Sequence, residues 1–159
     1  MRNSSKFWKF IVSGFGTGYI PLAPGTWGAG LAAFMGFHLN LLPALYTPII
    51  LAIAILVFYW LGVVGSELLA GELGDDPKTT VIDEMIGMWI ALIGVPLALP
   101  WVIAAFFLFR FFDIVKPFGI RKFETLKGGH GVMLDDVAAG VYANIVLQLA
   151  LLFFIINKS

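Results

Sequence analysis

Met85-Ile86-Gly87-Met88-Trp89-Ile90-Ala91-Leu92-Ile93-Gly94-Val95-Pro96-Leu97-Ala98-Leu99-Pro100-Trp101-Val102-Ile103-Ala104-Ala105-Phe106-Phe107-Leu108-Phe109-Arg110-Phe111-Phe112 is apolar apart from Arg110 and is broken by Pro96 and Pro100. Each proline removes an amide donor and disfavours an unbroken helix. The stretch therefore reads as a helical hairpin with arms 85–95 and 101–112, short for full membrane spans unless each extends by a turn. A single helix kinked at both prolines is the competing reading. The choice decides which polar residues meet. A hairpin returns Arg110 and Asp113 to the end that holds Asp83 and Glu84, whereas a kinked rod separates them.

Outward from the hairpin, residues 48–69 form an almost uninterrupted apolar run, long enough to cross a hydrocarbon core at about 1.5 Å per residue. Residues 137–156 do the same. Residues 27–42 are shorter, carry Gly28, Gly30 and Gly36 and stop at Pro43, which suits a tightly packed span or a re-entrant helix. The expected fold is an all-α, polytopic membrane bundle of about four to five membrane helices, one domain over residues 1–159. The composition agrees: 60% of residues are hydrophobic and 13% charged, against roughly a quarter charged in soluble domains.

Polar residues are confined to the N-terminus as far as Thr26, to 71–84, to 110–136 and to the last three positions. If all five apolar segments traverse, the first three polar stretches share one face. That face carries Arg2, Lys6, Lys9, Lys78, Arg110, Lys116, Arg121, Lys122 and Lys127, with Lys158 opposite, so the positive-inside bias makes it cytoplasmic. The basic, aromatic segment 1–12 reads as an interfacial helix or a frayed terminus, with no cleavage site after it. Zero net charge gives no case for nucleic acid as partner. The absence of cysteine excludes disulfides, thiolate metal sites and a cysteine nucleophile.

Acidic residues at the edges of apolar helices are expensive unless paired or metal-bound. Asp83 with Glu84, Asp113, and Asp135 with Asp136 occupy such positions. Hard oxygen donors suit magnesium, which keeps waters and takes a substrate phosphate; solvated helix-end caps are the alternative. Arg110, Asp113 and Lys116 recur every three residues and form one charged strip on a helix, either a phosphate clamp or a snorkelling, salt-bridged strip. The run Gly14-Phe15-Gly16-Thr17-Gly18 and the run Pro24-Gly25-Thr26 lead into a helix, with Thr26 as an N-cap or a phosphate donor. No nucleotide-binding pattern is present. His130, between glycines, is a candidate acid for the leaving group or an exposed loop histidine. His38 reads as structural. Asn144, two turns beyond Asp136 with Gly140 between, extends the site or bonds a neighbouring helix.

These blocks, with Asp83-Glu84-Met85-Ile86-Gly87-Met88-Trp89, Phe109-Arg110-Phe111-Phe112-Asp113-Ile114-Val115-Lys116-Pro117 and Gly129-His130-Gly131-Val132-Met133-Leu134-Asp135-Asp136-Val137-Ala138-Ala139-Gly140, resemble the phosphatidylglycerophosphatase A family. The resemblance covers most of the chain from Gly14 to Asn144. It implies a magnesium-dependent inner-membrane enzyme that removes the terminal phosphate of phosphatidylglycerophosphate. Carried over by motif, it implies metal at Asp83, Glu84, Asp113, Asp135 and Asp136. It implies catalysis by the same carboxylates and phosphate contacts from Arg110 and Lys116; from the residues themselves we assign catalysis to Asp83, Asp113 and Asp136, with His130 as the candidate acid and Thr26 as a further phosphate donor. The acyl chains would stay in the bilayer, entering between helices. Another membrane lipid phosphate as substrate, or a non-catalytic transport or assembly subunit, are the competing functions. The oligomeric state is not determined by the sequence.

Overall fold

The computed structural model describes residues 2–73, 78–117, 119–126 and 128–157, the side chains at 2–4, 73, 124 and 125 excepted. Lys127, Lys158, the Arg2 side chain and residues 74–77 of the second polar stretch lie outside the described residues. Among the described residues six α-helices follow one another: α1 Arg2–Val12, α2 Pro24–His38, α3 Tyr46–Leu73, α4 Ile82–Leu92, α5 Leu99–Val115 and α6 Gly129–Ile156, with short 3-10 turns at Thr17–Tyr19, Leu39–Leu41 and Ile120–Thr125. No strand occurs among the described residues.

The hairpin is present. α4 ends at Leu92, Gly94 turns with a φ of +68°, and Pro100 lies in the first turn of α5. A proline there lacks only an amide that a helix start leaves unpaired, so Pro100 begins a helix rather than kinking one. Antiparallel return of α5 brings its Phe109 ring against Gly87, in the middle of α4.

α4 is apolar on almost every side and is enclosed by α2, α3, α5 and α6, as expected for a helix without a polar face. Its closest neighbour is α6. A Cβ on Gly140 would strike the Gly87 carbonyl oxygen, and one on Gly87 would come within 2.6 Å of the Asp136 carbonyl oxygen. The two backbones therefore touch, the arrangement that small residues permit between membrane helices. At the far end of α4, Asn144 donates to the carbonyls of Ala91 at 3.1 Å and Ile93 at 2.7 Å, and Gln148 donates to Ile93 at 2.9 Å. Carbonyls freed where the helix stops are thus satisfied inside the bundle. Asn144 bonds a neighbouring helix and does not extend the site.

Helices α2 to α6 alternate in direction. Gly25 at the start of α2 faces Glu84, and Gly129 at the start of α6 faces Val63 in the second half of α3. At the opposite end a cavity joins Asn40, Thr47, Pro96 and Leu151. Their lengths differ more than the sequence suggests. Among the described residues only α3 and α6 are long and apolar enough to cross a membrane. α2 has 15 residues, α5 has 17 and α4 has 11, so α4 covers roughly 16 Å of a core about 30 Å thick. The structure thus shows two helices that could each cross a membrane, with three shorter ones packed against them, and does not bear out the full count of four to five membrane helices. α1 packs along α3, with Trp8 beside Gly65 and Lys9 paired to Glu72 at 2.6 Å, while Phe7 and Phe10 face outward.

The alternation sets an expected labelling pattern. With no native cysteine, Lys78→Cys and Arg121→Cys should react with an impermeant maleimide from the same side of oriented vesicles. Leu41→Cys, 82% exposed at the other end, should react from the opposite side. Labelling of Lys78→Cys and Arg121→Cys from different sides would overturn the alternation.

Candidate active site

The polar ends of α2, α4, α5 and α6 converge. Asp83 and Glu84 lie in the first turn of α4, where the helix dipole favours negative charge. Asp136 reaches them from α6, and oxygens of Asp83, Glu84 and Asp136 all lie within 4.8 Å of one another. Asp83 and Asp136 are buried at 9% and 3% exposure. Asp83 Oδ1, Glu84 Oε2 and Asp136 Oδ1 are buried without a hydrogen-bond partner. Unpaired buried carboxylate oxygens are costly, and clustered like charges add to that cost. A divalent cation seated among them would satisfy all three, so the donor set fits a hard metal ion.

Two basic residues border the cluster. Arg110, near the end of α5, is hydrogen-bonded through Nη1 to Asp113 and lies 3.9 Å from Glu84, while its Nε is buried without a partner. Lys116 Nζ donates to Asp135 Oδ2 at 2.5 Å. Five carboxylates thus surround two cations. The start of α2 completes the wall: no side chain caps it, and a Cβ on Gly25 would collide with Glu84 Oε1 and sit 3.2 Å from Arg110 Nη1. A helix N-terminus without a side-chain cap, aimed at this point, suits an anion.

Several residues lie elsewhere than the sequence implies. α6 begins at Gly129, so Asp135 and Asp136 stand about two turns inside a helix and are not its caps. Lys116 is outside the strip expected every three residues. α5 ends at Val115, and Lys116 takes a left-handed conformation with a φ of 48°, uncommon for a residue with a Cβ. That twist sends its ammonium across to α6. Thr26 is not an N-cap: Ala23 holds that position, and Thr26 belongs to the first turn of α2, its amide 2.9 Å from the Ala23 carbonyl. His130 belongs to the first turn of α6 rather than to a loop, and its Nδ1 lies 2.8 Å from the Tyr59 hydroxyl. Six residues separate it from Asp136, which turns it well away from that carboxylate. His38 is exposed and bonds the Phe34 carbonyl at 2.8 Å. Gly25 was legible only as part of a glycine-rich helix start; its contact with Glu84 has no sequence signal.

No solved structure matches the chain. A Bacteroides thetaiotaomicron protein, provisionally named phosphatidylinositol-3-phosphatase, is 47% identical over 156 residues, covering 94% of this chain and 97% of its own. Phosphatidylglycerophosphatase A of Haemophilus influenzae is 44% identical over 86% of this chain and 84% of its own, and that of Escherichia coli is 35% identical over 93% and 83%. The family profile described as phosphatidylglycerophosphatase A matches residues 10–151, a span that holds every carboxylate and cation of the cluster. On these matches the chain belongs to the phosphatidylglycerophosphatase A family of phosphoric monoester hydrolases.

Proposed function

We propose that the chain hydrolyses the terminal phosphomonoester of phosphatidylglycerophosphate to phosphatidylglycerol and inorganic phosphate, with magnesium, at the cytoplasmic face of a bacterial inner membrane. One observation carries the reading: three buried, unpartnered carboxylate oxygens beside the unpartnered Nε of Arg110. Acidic groups alone would repel a phosphate dianion; a divalent ion held by Asp83, Glu84 and Asp136 would offset most of that negative charge, and Arg110 and Lys116 add further positive charge beside it. When bound, the ion supplies Lewis-acid charge to the phosphoryl oxygens.

The chain's own residues do the rest. Arg110, held by Asp113 and Glu84, offers Nε to a phosphoryl oxygen, and Lys116 adds positive charge from the Asp135 side. The start of α2, with Thr26, faces the remaining oxygens. One carboxylate of the cluster orients the attacking water. Positioned cations are the main requirement, because the transition state spreads charge over the phosphoryl oxygens. His130, bonded to Tyr59, is left out of this chemistry.

The relative named for phosphatidylinositol 3-phosphate supports a second reading, that lipid as substrate of the same site. Phosphate release by purified protein from both lipids, with and without magnesium, decides between them. Faster release from phosphatidylglycerophosphate is expected, and no magnesium-dependent release from either lipid would end the proposal.

Exchange of the basic residues tests their roles. Arg110→Lys loses the planar fork that spans Asp113, Glu84 and phosphate. It is expected to lose about 1–3 kcal/mol of transition-state stabilisation, roughly five- to a hundredfold in kcat/KM. Lys116→Arg keeps a cation opposite Asp135 and should cost less. Equal kcat/KM for Arg110→Lys and the unaltered protein, at matched protein level and Tm, would make Arg110 an anchor only.

A further inference from the structure

An apolar groove of about 310 Å³ runs between α2 and α5, open along one side and walled by Gly30, Phe34 and Phe37 of α2 and by Ile103, Phe106 and Phe107 of α5. Both walls lead to the candidate active site. On α2, Phe34, Gly30 and Thr26 follow at intervals of four, and on α5, Ile103, Phe106 and Arg110 follow at intervals of three and four. Such spacings place residues on one helical face. The two stripes therefore end at the helix start and the guanidinium assigned above to phosphate. The two helices approach each other at that end, where a Cβ on Gly25, the residue before Thr26, would sit 3.2 Å from Arg110 Nη1.

Gly30 makes the groove. A Cβ at this position would meet nothing within 4 Å, although Gly28 and Gly36, on the buried side of the same helix, would each collide with a neighbour. Gly30 is thus not needed for helix packing, and its missing side chain leaves room facing the groove. Phe34 and Phe107 stand at the opening, 62% and 67% exposed. Such a surface is unfavourable in water and suited to hydrocarbon.

We infer that this groove seats one acyl chain of the lipid phosphomonoester, holding it so that the headgroup phosphate falls between Arg110, Thr26 and the carboxylates. The inference rests on the lipid phosphatase reading and adds to it a recognition element for the tail. The groove commits to a hydrocarbon chain because its walls are apolar throughout and one end, at Gly30 and Phe106, lies about one helical turn from Thr26 and Arg110. Between Gly30 and Phe37 it is roughly 10 Å long, enough to grip the part of a chain nearest the glycerol and leave the rest in the bilayer.

Gly30→Trp tests it, since the new ring enters the groove without disturbing helix packing. Dioleoyl phosphatidylglycerophosphate and its deacylated headgroup, glycerophosphoglycerophosphate, are compared in one detergent, with Gly30→Ala as the mild variant. Gly30→Trp should raise KM for the dioleoyl lipid about tenfold, the equivalent of unburying roughly two methylene groups. Its kcat, and both constants for the deacylated headgroup, should stay unchanged. Equal changes for both substrates, or none, would overturn the inference.

A second measurement does not depend on turnover. A diazirine in the acyl tail of phosphatidylglycerophosphate should cross-link to peptides 30–37 and 99–107, and unlabelled dioleoyl phosphatidylglycerophosphate should compete where dioleoylphosphatidylcholine does not. Equal competition by the choline lipid would mean bulk bilayer lipid. Loss of cross-links on dimer formation would mean a second copy of the chain. Either outcome overturns the inference. If the unaltered protein hydrolyses neither substrate, the phosphatase reading fails, and the cross-linking pattern still decides the groove.

Discussion

Asp136→Asn should lower magnesium-dependent turnover by roughly a thousandfold, about 4 kcal/mol of transition-state stabilisation, and should also abolish any rise in Tm caused by magnesium. Asp83→Asn should behave alike. Both carboxylates are buried, each has an oxygen without a partner, and both lie within 4.8 Å of Glu84. Asparagine keeps the shape and loses the charge. Without divalent ion the unaltered protein holds this crowded negative cluster at a cost, so neutralising one member should leave its stability equal or higher. With the ion at about a hundred times its dissociation constant, the unaltered protein should gain roughly 2.7 kcal/mol of stability. The variants should gain far less. Melting curves with and without magnesium therefore report on the ion independently of catalysis. Near-normal turnover in both variants, or an unchanged magnesium effect on Tm, would remove the ion from these residues.

Gly140→Leu should have the largest effect on folding. Its Cβ would run into the Gly87 carbonyl, with the Gly87 Cα at 3.0 Å, and backbone cannot move aside as a flexible side chain can. Forcing the two helices apart should cost about 3 kcal/mol or more. The contact also spaces the site. Gly87 lies four residues after Asp83 on α4, and Gly140 lies four after Asp136 on α6, so the glycine contact sits one turn from the carboxylate contact. Gly140→Ala, a smaller wedge, is therefore expected to leave folded protein with turnover lowered about tenfold or more and a weaker response of Tm to magnesium. Gly71→Ala is the control, because a Cβ there meets nothing within 4 Å and alanine favours the helix. Normal Tm and turnover in Gly140→Leu would show that α4 and α6 do not rely on this approach.

Much of this arrangement was legible in the chain. Apolar runs gave an all-helical protein, and Pro96 with Pro100 gave the hairpin that returns Arg110 to the level of Glu84. The acidic and basic residues of the cluster stood out because charge is expensive beside apolar helices. Asn144 and Gly140 were readable as helix-packing residues from their position within an apolar run.

Other features were not legible. The start of α6 at Gly129 was hidden because glycines and paired aspartates have low helix propensity, and packing of Gly129 on Val63 and of Gly131 on Leu126 overrides it. The left-handed Lys116 broke a regular spacing that is valid only while the helix lasts. His130, between glycines, read as a candidate acid or a loop histidine, yet it is held in a helix beside Tyr59. The short α4 looked like one of several spans but is the enclosed centre of the bundle.

Sequence by itself determined which segments are helical, where the chain must turn, and which side chains are chemically able to bind metal and phosphate, since these depend on a residue and its near neighbours along the chain. Only the tertiary structure decided that Asp83, Glu84 and Asp136 share one point, that Lys116 serves Asp135, and that Gly30 opens a groove toward Arg110. Those facts depend on the rotation and height of one helix against another. Both are fixed by backbone contacts such as Gly87 with Gly140, between residues more than fifty positions apart, which no local pattern encodes.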